Sequence, residues 1–111
     1  MSNKEIKIHK SLYIEYNSFV RASEKFHGKS KFDYVFIEDN RYAQVLLLFE
    51  YETHQLAWIR NYSLPIHCNL FNLDKIELLD NYEIISIHKI KKNVKLISDI
   101  KNEKNISYIL L

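Results

Sequence analysis

The chain has almost none of the residues that usually shape turns. Its 111 residues include one glycine, Gly28, and one proline, Pro65, where average usage would give roughly eight glycines and about six prolines. The triplet Gly28-Lys29-Ser30 resembles the end of a phosphate-binding loop, but Ser23 stands where the motif needs its first glycine. Glycine-shaped nucleophile elbows are likewise absent. Turns must therefore come mostly from asparagine and aspartate, which tolerate a left-handed backbone.

The chain has a single cysteine, Cys68, which excludes an internal disulfide and is expected to be a small buried hydrophobe. His67 beside it would point to the opposite face of a strand, so the two are not expected to share a metal ion. We expect no metal and no cofactor. The longest apolar run, Val45 to Phe49, is far shorter than the roughly 20 residues of a membrane-spanning helix. With no signal peptide at the start, we expect an intracellular protein.

Charge is spread unevenly along the sequence. The net charge is +2, but residues 1–31 carry +4, residues 32–85 carry −6 and residues 86–111 carry +4. Two interpretations remain open. The basic ends can pack near the acidic middle and partly neutralise it, as solvated charges do on small domains. Alternatively, four lysines can form a basic strip for nucleic acid, namely Lys89, Lys91, Lys92 and Lys95.

Hydrophobic residues make up 47% of the chain and aromatic residues 14%, which is enough for a packed core and favours strands. The clearest pattern lies between Tyr42 and Tyr62. An apolar run from Tyr42 to Tyr51 is followed by a polar break at 52–54 and a second apolar run from Leu56 to Tyr62. Two such runs around a short polar connection predict a β-hairpin. Alternation predicts that one face of its first strand packs in the core, with the residues Ala43, Val45, Leu47, Phe49 and Tyr51.

The rest of the chain predicts further short strands. Residues 1–10 are expected to be a mobile arm, and residues 11–111 a single domain. Phe19, Ala22, Ser23 and Phe26 have helical spacing, so a short helix or a loop is predicted over 18–27. The remaining strands are predicted at Ser11–Tyr16, Phe32–Ile37, Lys75–Leu79, Tyr82–Ile87, Val94–Ile97 and Ile106–Leu111, with turns at 39–40 and 80–81, a helical turn at 88–92 and an irregular crossing at 63–72. The pattern indicates an all-β fold, a small, distorted and partly open β-barrel with one short helix or helical turn.

The hairpin, followed some twenty residues later by YEIISIHKIKKNVKLI, resembles the layout of bromo-adjacent homology (BAH) domains. The acidic and apolar positions of that layout are taken by Glu83, Ile85, Ile90, Val94 and either Leu96 or Ile97. The stretch EKFHGKSKFDYVFIED is similar to β-domains of transposon-related proteins. The resemblance covers residues 24–100. It implies a distorted β-barrel with a non-catalytic role in the nucleus, making protein contacts in chromatin that include histone tails, or contacts within a mobile element.

The functional prediction is a binding module rather than an enzyme. An exposed aromatic and apolar patch, formed by Tyr51, Trp58 and Tyr62, is expected to contact a protein partner. The first alternative is nucleic-acid binding through the four lysines of residues 89–95. The second is homo-oligomerisation, in which Ile106–Leu111 would be an exposed edge strand that pairs with a copy of itself.

Overall fold

The computed structural model describes residues 5–14, 18–26, 29–98 and 104–110. Within these ranges the chain forms eleven strands and two short 3₁₀ turns, at Glu38–Asn40 and Ile87–Lys89. The strands are β1 (Ile6–His9), β2 (Ser11–Tyr13), β3 (Phe19–Phe26), β4 (Lys29–Phe32), β5 (Tyr34–Ile37), β6 (Arg41–Tyr51), β7 (His54–Tyr62), β8 (Ile66–Cys68), β9 (Leu73–Ser86), β10 (Ile90–Ser98) and β11 (Ile106–Leu110).

Six antiparallel strands form a closed barrel. Their order is β6-β5-β10-β11-β9-β7, and pairing between β6 and β7 closes the ring. The predicted all-β barrel is confirmed, although the ring is closed where a partly open one was expected. The length of β6 explains the closure. Its 11 residues pair with β7 along one edge and with both β5 and β1 along the other.

The barrel interior is small and rich in tyrosine. Its packed residues, here called the barrel cluster, include at least one from each of the six ring strands, which identifies them as the interior. They are Tyr34, Tyr42, Tyr62, Ile76, Leu78, Leu96 and Ile109. The rings of Tyr34 and Tyr62 meet edge to face with their centroids 6.3 Å apart, an arrangement that aromatic quadrupoles favour.

A second, larger cluster lies on the other face of β5, β6 and β7. A three-stranded sheet of β2, β3 and β4 covers it and contributes Leu12, Val20 and Ala22. The covered face of the β6–β7 hairpin supplies residues that are completely buried, namely Ala43, Val45, Leu48, Ala57 and Ile59.

Asp33 joins the three-stranded sheet to the barrel. Its carboxylate accepts hydrogen bonds from the guanidinium of Arg21, at 3.1 Å to each oxygen, and from the backbone N–H of Arg21 at 2.9 Å. The backbone carbonyl of Asp33 accepts from the N–H of Val45 in β6. A single residue between β4 and β5 therefore bonds to both sheets.

Asparagine and aspartate supply most of the left-handed turn positions, as predicted. Four of the six non-glycine residues described with positive φ are Asp39, Asn40, Asn72 and Asn105. The other two, Glu52 (φ 48°) and Thr53 (φ 68°), form the tight turn of the β6–β7 hairpin. Positive φ at both central residues matches the twist of a two-residue hairpin, so Thr53 occupies a position that disfavours a β-branched side chain.

Several sequence predictions are corrected by strand pairing. Part of the expected N-terminal arm forms β1, which pairs with β6. The segment with helical spacing forms β3, because pairing with β2 and β4 outweighs the local pattern. The turn expected at Asp80-Asn81 is a bulge within the 14-residue strand β9. The predicted edge strand β11 lies between β9 and β10, so it is not an edge.

A β-bulge corrects the predicted faces of β6. Val45 pairs with Ile59 but Leu47 pairs with Trp58, so Leu46 is an extra residue. An extra residue reverses every side chain beyond it. Leu48, rather than Leu47, therefore continues the covered face begun by Ala43 and Val45, and it is fully buried.

Among the described residues, no helix has the length and apolar character needed to cross a membrane.

Candidate binding surface

The uncovered face of the hairpin and its neighbours is apolar over four strands. Directly paired residues of antiparallel strands project to the same side, and the register aligns Trp58 of β7 with Leu47 of β6 and with Ile84 of β9. We call this surface the Trp58 face. Its residues are Ile6, Ile8, Leu47, Phe49, Tyr51, Leu56, Trp58, Tyr82 and Ile84.

The centre of the Trp58 face exposes large apolar groups to solvent. Trp58 is 41% exposed, Tyr82 49% and Ile84 60%, and Ile8 on the flanking strand is 60% exposed. Monomeric proteins rarely expose large contiguous apolar patches, and those that are exposed commonly mark binding sites. In contrast, Phe49 on the same face is buried, with 7% of its surface exposed.

Polar contacts fix the aromatic groups at this centre. The rings of Trp58 and Tyr82 lie 6.0 Å apart at 42°, and the guanidinium of Arg60 lies 5.6 Å from the centroid of the Tyr82 ring. Arg60 also donates to the carbonyl of Leu79 at 2.7 Å and to the carboxylate of Asp80 at 2.8 Å. Because two hydrogen bonds position the Arg60 guanidinium, it makes a cation–π contact with the Tyr82 ring in a defined orientation.

The three residues predicted for the patch lie in two different environments. Tyr51 and Trp58 belong to the Trp58 face, with Tyr51 at the hairpin end. Tyr62 does not, because it is only 7% exposed and packs in the barrel cluster. Burial raises the pKa of the Tyr62 phenol, the nearby Tyr34 raises it further, and a hydrogen bond with Ser107 opposes the shift. Its ring is interior structure and not a contact surface.

Sequence analysis missed the residues that β9 and β1 add to this face. The sequence pattern predicts a strand that includes Tyr82 and Ile84 but does not predict a contact role for them, and it places Ile6 and Ile8 in the mobile arm. Ile84 and Ile85 are both isoleucine, so alternation alone gives no sign that one is exposed and the other buried. For β1 a signal existed, because Ile6 and Ile8 alternate with Lys7 and His9.

The four lysines of the predicted basic strip are placed in different environments. Lys91 pairs with Glu38 at 3.6 Å, whereas Lys92 lies 5.8 Å from the centroid of the Phe36 ring. Lys95 lines a cleft with Arg21 and Asp33. Lys89 is exposed at the end of the 3₁₀ turn and acts electrostatically on Glu83. Lys91 and Lys92 therefore already have contact partners within the chain.

A polar network lies beside the covered face. Arg41 donates to Oε1 of Glu83 at 2.6 Å, and Asn61 donates to the same oxygen at 3.0 Å and to Asn81 at 2.8 Å. The hydrogen bond from Arg41 is the main cause that holds the pKa of Glu83 below its ordinary value, and the bond from Asn61 adds to it. This carboxylate is committed to an ion pair, which suits cross-strand attachment better than proton transfer at neutral pH.

In the part of the chain that the structure describes, no three His, Cys, Asp or Glu side chains are grouped so that they could hold a metal ion. Cys68 is half-buried on β8 rather than fully buried as expected. The Trp58 face is the exposed apolar surface that extends over the most strands of the described barrel. No protein-family model, curated protein or solved structure matches this chain.

Proposed function

We propose that this chain is a non-catalytic binding module that holds a basic protein segment with apolar anchor residues on the Trp58 face. The observation that carries the proposal is the half-exposed Trp58 at the centre of an apolar surface spanning four strands. Tryptophan and tyrosine at the middle of a contact surface supply most of the binding energy in protein complexes.

The face is not needed to fill the core. The opposite side of the same two strands is fully buried under the three-stranded sheet, and the barrel interior is filled by residues from other positions. The exposed aromatic and aliphatic groups therefore have no packing role that would account for all of them. Removing them from water against a partner would release free energy of about 25 cal/mol per Å² of apolar surface.

Charge indicates a basic partner. Strands β6, β7 and most of β9 belong to the acidic middle of the chain, where residues 32–85 carry a net charge of −6. Asp80, beside Tyr82, keeps 89% of its side chain exposed even though it bonds to Arg60. Complementary charge around apolar anchors increases the association rate and the specificity. Histone tails, the partners implied by the resemblance to BAH domains, belong to this basic class.

Binding is tested with two matched sets of fluorescent peptides that carry the same leucine and phenylalanine anchors, flanked either by lysine or by glutamate. Anisotropy should show saturable binding of lysine-flanked peptides and much weaker binding of glutamate-flanked ones. Trp58→Ala and Ile84→Ser should each weaken the binding by about tenfold or more, as central contact residues do. Each variant is checked for folding by circular dichroism.

The matched control is Tyr13→Ala, which removes an exposed ring from the three-stranded sheet and leaves the Trp58 face intact. Its binding should equal that of the natural chain. If no lysine-flanked peptide binds saturably, or if folded Trp58→Ala binds as tightly as the natural chain, the proposal is wrong. Equal binding of both peptide sets would refute the basic character of the partner.

A further inference from the structure

We infer that the chain also binds single-stranded nucleic acid, through a surface built from the three-stranded sheet and β10. This inference is independent of the proposed protein partner, because it uses different strands and different residues. Two observations point to it separately. One is an exposed aromatic pair on β2 and β3. The other is a contact beside that pair between β3 and β10, which belong to the two basic parts of the sequence.

The aromatic pair consists of Tyr13 and Phe19, here called the aromatic platform. The two residues face each other across the β2–β3 pairing, with ring centroids 6.1 Å apart and planes at 74°. Tyr13 is 75% exposed and Phe19 42%. The core side of the same strands is occupied by Leu12 and Val20, so the platform is outside the core. Exposed rings of this kind stack on unpaired bases without regard to sequence.

One hydrogen bond joins β10, in the basic C-terminal part of the sequence, to the platform strand β3, in the basic N-terminal part. The side-chain amide of Asn93 on β10 donates to the backbone carbonyl of Phe19 at 2.8 Å, across 74 positions of sequence. Residues 1–31 and 86–111 each carry a net charge of +4. Alternation along β10 places Lys95 on the same side of the strand as Asn93, and its side chain is exposed. Lys95 is therefore the residue that we assign as a phosphate contact.

A cleft of about 580 Å³ continues this surface. Arg21 connects the two parts, because its guanidinium lies 5.9 Å from the centroid of the Phe19 ring and also lines the cleft. Tyr34, Val94 and Leu96 form apolar and aromatic walls, and Lys95 stands at the cleft as well. A chain of nucleotides would place one base on the platform, a phosphate near Lys95 and a second base against the cleft walls.

Unpaired bases fit this surface better than a duplex does. Stacking on the platform requires a base whose face is accessible, and a duplex hides those faces between neighbouring base pairs. The bidentate bond from Arg21 to Asp33 neutralises much of one cation. Phosphate attraction then depends on a few lysines, which is too little charge for tight binding by phosphate contacts alone.

Fluorescence anisotropy with the full chain tests the inference, using a labelled oligothymidylate of about twelve nucleotides. Three competing probes separate the contributions: a duplex of equal length, an abasic strand with the same phosphates, and thymidine monophosphate. The oligothymidylate should bind several-fold more tightly than the duplex and the abasic strand. The mononucleotide should compete only weakly, because it engages one contact at a time.

Variants assign the contacts. Tyr13→Ala should weaken binding of oligothymidylate by about tenfold, the loss typical of one stacked base, and should not change binding of the abasic strand. Lys95→Gln should reduce the slope of log affinity against log salt by about 0.7, the value for one phosphate contact on a single strand. Tyr82→Ala and Lys75→Gln, on the other strands, serve as aromatic and charge controls and should change neither quantity.

Equal affinity for the abasic strand and oligothymidylate would overturn the inference, since it would mean simple attraction to polyanions. A thymidine monophosphate affinity equal to that of the strand would also overturn it, by showing that the cleft is a small-molecule site. Absence of binding at about 50 mM salt would end it outright. None of these outcomes bears on peptide binding at the Trp58 face, so either proposal can fail without the other.

Discussion

Both faces of the β6–β7 hairpin carry large apolar residues, but their central residues differ in exposure to solvent. On one face Val45, Leu48 and Ile59 have no exposed surface. On the other, Trp58 is half-exposed and is continued by exposed Ile84 and Ile8. The covered face is buried by the three-stranded sheet, whereas no described element covers the central part of the Trp58 face. Apolar character alone therefore does not distinguish a buried face from an exposed one. The difference depends on whether another sheet packs over the face.

The comparison predicts that stability and binding depend on opposite faces. Substitutions on the covered face should lower the free energy of unfolding and leave peptide contacts intact while the chain is folded. Substitutions at the centre of the Trp58 face should do the reverse.

Leu48→Ala should lower the free energy of unfolding by about 3 kcal/mol, because it opens a cavity at a fully buried position. Trp58→Ala should lower it by about 1 kcal/mol or less, since much of that ring is already in water. Urea unfolding followed by circular dichroism measures both. Equal losses would break the distinction between the two faces.

Asp33→Ala tests whether the hydrogen bonds of Asp33 hold the three-stranded sheet on the barrel. The substitution removes the acceptor for three hydrogen bonds from Arg21 and should cost about 2 kcal/mol, below the range for a completely buried pair because Arg21 is partly exposed. The control is Glu38→Ala, whose pair with Lys91 is exposed and should contribute about 0.5 kcal/mol or less. Similar losses of unfolding free energy for both variants would show that Asp33 does not hold the two sheets together.

Glu83→Gln tests the network beside the covered face. The folded pKa of Glu83 is lowered by Arg41 from an ordinary value of 4.5. Its ion pair therefore adds stability above that value, and the contribution is lost as pH falls through the folded pKa. Because the side chain is 36% exposed, solvent screening limits the expected loss at pH 7 to about 1 kcal/mol. Unfolding curves of both proteins should converge below pH 4.5; a constant difference down to pH 3 would contradict the assignment.

Thr53→Gly tests the effect of the left-handed backbone conformation at the tip of the hairpin. Thr53 has a φ of 68°, which costs a non-glycine residue about 1–2 kcal/mol, while glycine adds unfolded-state entropy of about 0.5–1 kcal/mol. A net gain in unfolding free energy of about 0.5 kcal/mol is expected, with peptide binding unchanged. Gln55→Gly, in the adjoining strand, should instead lose stability. A loss on Thr53→Gly would mean that its side chain stabilises the turn.

The hairpin itself was predictable because its signals are local. The apolar runs and polar break placed β6 and β7 to within one or two residues. The faces of β6 were not predictable, because Leu46, Leu47 and Leu48 are identical and hide the bulge. Similarly, Asp80-Asn81 carries a turn signal but lies in a bulge of β9, where pairing with β7 on both sides of it continues the strand.

The candidate site depended on ring closure, which is not a local property. Trp58 and Tyr62 alternate onto the same side of β7. The local sequence pattern does not indicate which of the two is buried and which is exposed. The barrel closes over Tyr62 through β10 and β11 and leaves Trp58 outside. The meeting of Asn93 with Phe19 is non-local in the same sense. The charge pattern allowed the ends to pack near the middle, but it did not show that they also contact each other.

Trp58 is the only tryptophan of the chain, so its fluorescence reports directly on the proposed contact surface. Emission and acrylamide quenching should be recorded while the protein is titrated with a saturating lysine-flanked peptide. We expect ready quenching in the unbound protein, then a shift of the emission to shorter wavelength and a clear fall in quenching when the peptide binds. Saturable binding that leaves both the emission and the quenching of Trp58 unchanged would contradict this expectation.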